Sequence, residues 1–359
     1  MTPSFFDTFS GWVRDNYAEL GKFGTDIGVS ESMVSPHTIA LSPEIITLLT
    51  NGCAAIFQET RTTPTTIPSV FTSFDFYLTP DGPRLIEVNT NAAGALLVYL
   101  LGQYHGFGGA DYFTTVRSMF ETVAAQAGVT SIRRIAIVDE TPELQKTRFE
   151  FAMFQSLFQS WGWDCVIIDP GELTWTGTEL HGPDGFAIDL VYNRFCDFYL
   201  ETPRAAALKS ALAAGFPVTP NPDEYGRMAD KFVMIQLAKS QSPLIRQLIP
   251  PVIHVNQENP EALWARRKSL FFKPAHSFGS KAAYKGERIS RKVFQSFWDT
   301  ETIAQPYFPA GTVLRDGIDY KYDIRVYAFE GQVQLIGARL FQGQLMNFQT
   351  AGGGFAPIV

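Results

Sequence analysis

The stretch PRLIEVNTNAAG, residues 83–94, sets a carboxylate, Glu87, and an amide, Asn89, two positions apart at the end of an apolar run. Side chains alternate faces along a strand, so Glu87 and Asn89 share one surface while Val88 points into the opposite layer. The segment FDFYLTPDGPRLIEVN, two β-rich runs around a Pro-Asp-Gly-Pro turn, carries a strong hairpin signal. A five-residue loop TPDGP puts Leu78 opposite Arg84 and Asp75 opposite Glu87. Prolines at 80 and 83 support that register, because neither has an N–H to give to the ladder. Asp75, Glu87 and Asn89 then form a cluster of oxygen ligands in which two opposed carboxylates repel each other. A Mg²⁺ ion, or Mn²⁺ in its place, would turn that repulsion into binding, since Mg²⁺ takes oxygen donors and keeps waters and substrate phosphates in its shell. The other reading of the same residues is an exposed sheet face of solvated polar groups.

Cationic and glycine features downstream bear on that choice. In SLFFKPAHSFGSKAAY, Lys273 follows two phenylalanines on a short apolar strand, where an ammonium needs an anionic partner. The loop after it holds Gly279 between serines, so that backbone N–H groups and the hydroxyls of Ser277 and Ser280 could surround phosphate oxygens. Lys231 in NPDEYGRMADKFVMIQLA starts a helix and reads equally well as solvated charge. Arg325 in DIRVYAF lies within a strand and faces the side that Asp323 faces.

The elements that must position these groups follow from periodicity and turn signals. Residues 1–70 carry helical patterning broken by VSPHT and by QETRTTPTTIP. After the hairpin comes a helix at about 112–127, then alternating strands and helices: RRIAIVDE, QKTRFEFAMFQSLFQSWG, DCVIIDP, AIDLVYNRF and TPRAAALKSALAAG. That alternation implies parallel βαβ units and a small open α/β domain over residues 130–220. From 221 the pattern becomes α+β: helix MADKFVMIQLA, strands SLFFKPA and TIAQPYF, and the hairpin-like pair KYDIRVYAFEGQVQLIGARLF. The final NFQTAGGGFAPIV reads as a loop. The expected division is a helical region plus hairpin over 1–129, the α/β unit over 130–220, and a third unit over 221–359.

Composition excludes several function classes. The 359 residues are 45% hydrophobic with a formal net charge of −7, and the bases form no arm or stripe suited to nucleic acid. Cys53, Cys165 and Cys196 are far apart and show no CxxC spacing, which argues against zinc or a disulfide framework and fits a reducing cytoplasm. The longest apolar run, ALLVYLL at 95–101, is too short to span a membrane, and the N-terminus lacks a basic head and long apolar core, so an unprocessed soluble chain is expected. The five histidines, at 37, 105, 181, 254 and 276, sit in unrelated contexts that give no Ser-His-Asp or Cys-His set.

Taken together, these residues resemble the ATP-grasp superfamily. FDFYLTPDGPRLIEVNTNAAG is similar to the segment that closes the ATP-grasp domain of D-alanine:D-alanine ligases and their relatives, which implies Asp75, Glu87 and Asn89 as ligands of Mg²⁺. NPDEYGRMADK and FFKPAHSFGSKA resemble the two lysine motifs that meet the nucleotide phosphates, implicating Lys231 and Lys273. IAQPYF occupies the place of the hinge that recognises adenine; Gln305 stands where an acid is more usual, so the resemblance gives adenine reading to the backbone near Pro306 and Tyr307. DIRVY resembles the strand whose arginine approaches the triphosphate, here Arg325.

The order of the pieces departs from the common one, because the metal-binding hairpin precedes both lysines. A circular permutation explains this, and eukaryotic-type glutathione synthetases show a similar rearrangement, with an early Glu-x-Asn segment, a Rossmann-like insert, the lysine strands and a terminal glycine-rich loop. Those synthetases place an acid in the loop after the lysine-proline pair, where this chain has His276, Ser277 and Phe278.

The implied fold is a circularly permuted ATP-grasp fold with a Rossmann-like insert. The implied activity is an ATP-dependent ligase that joins a carboxylate to an amine, both small molecules, through an acyl phosphate. Arg339 in GARLFQGQLMNF is the candidate to hold the substrate carboxylate or the tetrahedral intermediate, with a structural ion pair as its alternative. Gly352, Gly353 and Gly354 would belong to a lid that excludes water. Asn193 and Arg194, after a parallel strand, are candidates for substrate contact, with a structural loop as the alternative. A phosphotransferase and a non-catalytic nucleotide-binding module remain the competing functions, and a homodimer is implied only by analogy.

Overall fold

The computed structural model of the chain describes residues 3–61, 67–107, 109, 111–275 and 283–359. A six-stranded antiparallel sheet forms its centre, built from β1 (Thr72–Thr79), β2 (Gly82–Asn89), β14 (Gly311–Arg315), β15 (Ile318–Phe329), β16 (Gln332–Phe341) and β17 (Gly354–Pro357). The order is β17-β16-β15-β1-β2, with β14 on the first half of β15. The early hairpin thus completes a sheet whose other strands lie beyond residue 310.

A parallel sheet in the order β4-β3-β8-β9 contains β3 (Arg134–Val138), β4 (Asp164–Ile168), β8 (Leu190–Asn193) and β9 (Val218–Thr219). A small ribbon of β5 (Thr174–Trp175), β6 (Leu180–His181) and β7 (Ala187–Ile188) lies within the same stretch of chain. The fourth sheet, β10-β13-β11-β12, is antiparallel and contains β10 (Ile253–His254), β11 (Leu270–Pro274), β12 (Tyr284–Lys285) and β13 (Thr302–Pro306). The α/β and α+β composition expected from the sequence is present.

Helices close the faces of these sheets. Among the described residues they are α1 (Phe5–Asn16), α2 (Pro43–Thr60), α3 (Ala95–Tyr104), α4 (Tyr112–Gln126), α5 (Arg148–Ser160), α6 (Ala206–Ala213), α7 (Pro222–Glu224), α8 (Lys231–Leu237), α9 (Pro243–Leu248), α10 (Pro260–Arg266) and α11 (Arg291–Gln295). The alternation of β1, β2, β15 and β16 buries Phe74, Phe76, Val88, Ile324, Val326, Ala338 and Leu340 against α2, α8 and α9. Burying one such side chain is worth about 1.5–3 kcal/mol. The opposite face carries Asp75, Glu87, Asn89, Asp323, Arg325 and Arg339, so an apolar layer fixes the register of every charged residue of interest.

Two sequence expectations are corrected by the backbone. The hairpin turn is tighter than the five-residue loop: Thr79 faces Gly82, Leu78 faces Pro83 and Tyr77 faces Arg84. Gly82 supplies the positive φ of +100° that the short turn requires. A bulge between Asp75 and Phe76 on one strand, with Ile86 as the extra residue on the other, restores Asp75 opposite Glu87.

The second correction concerns the glycine-rich end, where a turn through Gly352 leads into a buried strand, β17, from Gly354 to Pro357, packed into the protein rather than lying over a site. Its glycines serve close packing: a Cβ on Gly354 would lie 2.4 Å from the Met33 carbonyl carbon. Phe355 and Pro357 carbonyls accept from Ser35 and Ile39 N–H groups, so β17 is held on both edges, by β16 and by the segment 34–41. Gly352, whose carbonyl accepts from Ser35 Oγ at 2.8 Å, and Gly353, buried beside Leu340, are tied into the same packing.

Candidate active site

The bulge at Ile86 is where the site begins. A bulge turns a backbone group out of the ladder, and the Ile86 carbonyl accepts from Lys273 Nζ at 3.0 Å. Lys273 shares a face of β11 with Phe271 and is almost fully buried, so its reach to the hairpin joins two sheets separated by nearly two hundred residues. Burial pushes its pKa down, opposed by the Glu87 carboxylate, and Lys231 adds a like charge that pushes it further down. Lys231, the first residue of α8, donates to the Ala275 carbonyl at 3.2 Å. Its pKa is also lowered by burial, opposed by Glu87 and Asp230. Both ammonium groups therefore act on one carboxylate, Glu87.

Glu87 is that carboxylate, and among the described residues nothing hydrogen-bonds it. Beside it on the same strand face, Asn89 donates from Nδ2 to Asp75 at 3.3 Å, which leaves its Oδ1 pointing away from a described donor. Two oxygen donors, from Glu87 and Asn89, are thus presented beside two lysines.

Asp75, expected as a third ligand, is placed differently. Arg325 grips both of its oxygens, Nε at 2.8 Å and Nη2 at 2.6 Å, and Arg339 Nη2 adds a third contact at 2.9 Å. Burial would raise the Asp75 carboxyl, but the Arg325 and Arg339 guanidiniums hold it down at about 2. Arg339 in turn forks onto Asp323 at 2.9 and 2.7 Å. The register Glu87–Asp75–Arg325 across β2, β1 and β15, with Asp323 opposite Arg339, makes this a closed ionic ladder. Arg325 also donates from Nη1 to the Ala93 carbonyl at 3.2 Å, so all three of its nitrogens are engaged within the protein. Among the described residues, Arg339 Nη1 makes no hydrogen bond.

The loop after Asn89 is held from several sides. Tyr327 donates to the Ala93 carbonyl at 2.8 Å, Arg194 Nη1 to that of Ala92 at 3.3 Å, and Glu150 accepts from Gly94 N–H at 2.6 Å. Gly94 has φ of +95°, and the Phe355 ring would meet any Cβ there at 2.1 Å. Arg194 pairs with Glu150 at 2.9 Å, both nearly inaccessible, and Asn193 bonds Pro220 O and Phe195 N. Of these two candidates for substrate contact, Arg194 is an internal support of the loop, claimed by the buried Glu150 on α5, a partner 44 residues away that no spacing rule reveals, and Asn193 is occupied by the backbone of Pro220 and Phe195.

Sequence reasoning also missed the mounting of Lys231. The π-helix Tyr225–Ala229 precedes Asp230, whose carboxylate caps α8 through Phe232 N–H at 2.9 Å and accepts from Tyr199 Oη at 2.5 Å. Phe198 stacks on Tyr225 with ring centroids 4.3 Å apart. The Asp-Lys order at the start of an apolar helix is an N-cap signal and could have found Asp230; Tyr199 gave none.

On the fourth sheet, Phe271 faces Gln305 and Lys273 faces Ile303. Gln305 Oε1 is buried and has no partner among the described residues. Pro306 ends β13 opposite Leu270, and the Tyr307 N–H donates to Ser269 O at 2.8 Å. The Lys285 ammonium lies 4.3 Å over the Tyr307 ring. Ser277, Gly279 and Ser280 lie outside the described residues.

The fold is a mixed α+β fold that has a solved counterpart at low sequence identity. The solved structure of a protein provisionally named a gamma-glutamylcysteine synthetase, from Methylobacillus flagellatus KT, matches with a TM-score of 0.55 and 13% identity over 88% of this chain and 87% of that one. The ATP-grasp ligase PsnB with its minimal precursor matches at a TM-score of 0.39 and 16% identity, over 62% of this chain and 76% of that one. The same ligase with precursor, Mg and ADP matches at 0.33 and 14%, over 62% and 87%. No family model and no curated protein matches the chain.

Proposed function

We propose that the protein is an ATP-dependent carboxylate-amine ligase that forms an amide bond through an acyl phosphate, acting on an amino acid or small peptide. The observation that carries this reading is the Glu87 carboxylate, which accepts no hydrogen bond among the described residues and is electrostatically coupled to the half-buried Lys231 and the buried Lys273. A polyanion with a divalent cation is the ligand such a site favours.

The donor set fits Mg²⁺, and Mn²⁺ uses the same donors. Among the described residues no group of three or more His, Cys, Asp or Glu is placed to hold a metal. Glu87 and Asn89 Oδ1 would supply the protein's share, with phosphate oxygens and waters completing the shell, as is usual for Mg²⁺. When bound, the ion would neutralise phosphate charge and ease the approach of a carboxylate.

In the proposed reaction a carboxylate oxygen of the substrate attacks the γ-phosphorus of ATP, ADP leaves, and the amine then attacks the acyl carbon with loss of phosphate and a proton. Lys231 and Lys273 hold the phosphates and stabilise the charge that develops on them. Arg339 Nη1 is the nitrogen available to grip the substrate carboxylate or the tetrahedral oxyanion. Asp75 and Arg325 keep the sheet face rigid beneath these groups rather than touching the nucleotide. We also propose that the order of the motifs arose by circular permutation; the pairing of the early hairpin with β15 supports it.

ADP release measured against pools of amino acids and dipeptides, with mass spectrometry of the product, tests the function. Ligation requires both an acid and an amine and yields an amide. ADP release with a hydroxyl acceptor alone would make the protein a phosphotransferase, and tight MgATP binding without turnover would make it a binding module.

A further inference from the structure

The fourth sheet holds a buried acceptor that no described group satisfies. Gln305 Oε1 faces the same side of the sheet as Phe271 and Lys273, and an unsatisfied buried polar atom is costly, so an N–H supplied by a ligand is implied. Phe271 and Tyr307, their ring centroids 6.5 Å apart, give an aromatic shelf beside it. From Gln305 to Lys273 is one diagonal step across paired strands, about 7–8 Å between backbones, a separation of the order of a nucleoside between its base edge and its phosphates. This arrangement suits a flat base lying on the shelf with its polar edge at Gln305.

We infer that the site takes 6-oxopurine nucleotides as well as 6-aminopurine nucleotides, because the side chain at the base edge is a carboxamide. This rests on the nucleotide reading above. A carboxylate at position 305 would only accept, so it would bind a 6-amino group and repel a 6-oxo group. An amide has both functions. With Oε1 toward the base it accepts from an amino group; rotated by half a turn about its last bond it offers Nε2 as donor to an oxo group. The aromatic shelf contributes to either base equally. Gln305 is thus a specificity-determining residue, and its effect is to relax the choice of phosphoryl donor.

Titration calorimetry of the full chain with MgADP and MgIDP tests this without knowledge of the acid or amine, and hypoxanthine isolates the 6-position because it adds no 2-amino group. The wild type is expected to prefer MgADP by less than about thirtyfold; a larger preference overturns the inference. Gln305→Glu is expected to widen the preference by at least tenfold, to about a hundredfold in the full case, by setting a carboxylate against the oxo group. Gln305→Met, which removes both functions and keeps the volume, should bring the ratio near one. An unchanged ratio in both variants would remove Gln305 from the base edge. Absence of MgADP binding to the wild type would instead overturn the nucleotide site itself.

Discussion

Two sets of charged side chains lie next to each other on one face of the large sheet, and the fold treats them differently. In the ladder of Asp75, Arg325, Asp323 and Arg339, each carboxylate oxygen finds a guanidinium and nearly every guanidinium nitrogen finds an oxygen. One strand over, Glu87 has no hydrogen-bonded partner among the described residues, and near it Lys273 donates to the Ile86 carbonyl and Lys231 to that of Ala275. The residue types are similar, but Glu87 and Lys231 are half-buried where the four ladder residues are buried. A buried pair with its bonds complete repays its own desolvation and little more, whereas charges left incomplete hold their interaction energy for a ligand. The contrast separates residues that hold the site from residues that use it.

The largest effect that would break this contrast is on turnover. Glu87→Gln keeps the shape and removes the charge, and should cost about a thousandfold or more in kcat while stability stays within about 1 kcal/mol. Equal activity in that variant would move Glu87 out of the site. The complementary change, Asp75→Asn, leaves the buried Arg325 guanidinium without a carboxylate while Arg339 keeps Asp323, and should cost about 3–5 kcal/mol of stability, read from the denaturant midpoint. A variant as stable as the parent would show that the ladder is not closed.

Acid sharpens the same distinction. The Asp75 carboxyl is lowered in the folded protein to about 2, so its contribution is fully present above the unfolded value of about 3.9 and is lost as pH falls toward 2. Asp75→Asn should flatten that limb of the stability curve. In the alkaline range the lysines report on the ligand. Their pKa values are lowered by burial, so part of each ammonium is lost below the ordinary lysine value of about 10.4, and a polyphosphate that restores the charge must bring protons with it. MgADP titrations in buffers of differing ionisation enthalpy should show proton uptake that grows as pH rises toward that value. No uptake would separate the lysines from the phosphates.

The smallest expected effect concerns the Tyr199–Asp230 bond that mounts Lys231. Tyr199→Phe removes a hydrogen bond to a charged group, about 1.5–3 kcal/mol in general. It should raise KM for the nucleotide about tenfold with kcat nearly unchanged. A loss of stability with KM unaltered would make Tyr199 a purely structural contact.

Much of the fold was legible because its apolar alternation is strong. The parallel unit followed from the spacing of RRIAIVDE, DCVIIDP and AIDLVYNRF, and the hairpin from Pro-Asp-Gly-Pro. Asp75 was set opposite Glu87 by two errors that cancelled, since a tighter turn and a bulge each shift the register by one and neither leaves a mark in composition. What could not be read was the choice of partner. Asp75 on β1, with Arg325 and Arg339 on strands 250 and 264 residues later, is decided by strand order, and Arg194 is claimed by Glu150 from another element. The glycines at 352–354 misled for a physical reason: absence of side chains allows close packing as readily as it allows motion.

The central claim is that the open carboxylate between the lysines, and not the closed ladder, receives the cation of a bound nucleotide. Crystals grown with MnADP and measured at the manganese absorption edge test it directly. The account predicts an anomalous peak within coordination distance of Glu87 and Asn89 Oδ1, with Asp75 still clasped by Arg325; a peak on Asp75 with its arginines displaced, or one remote from β2, would contradict it.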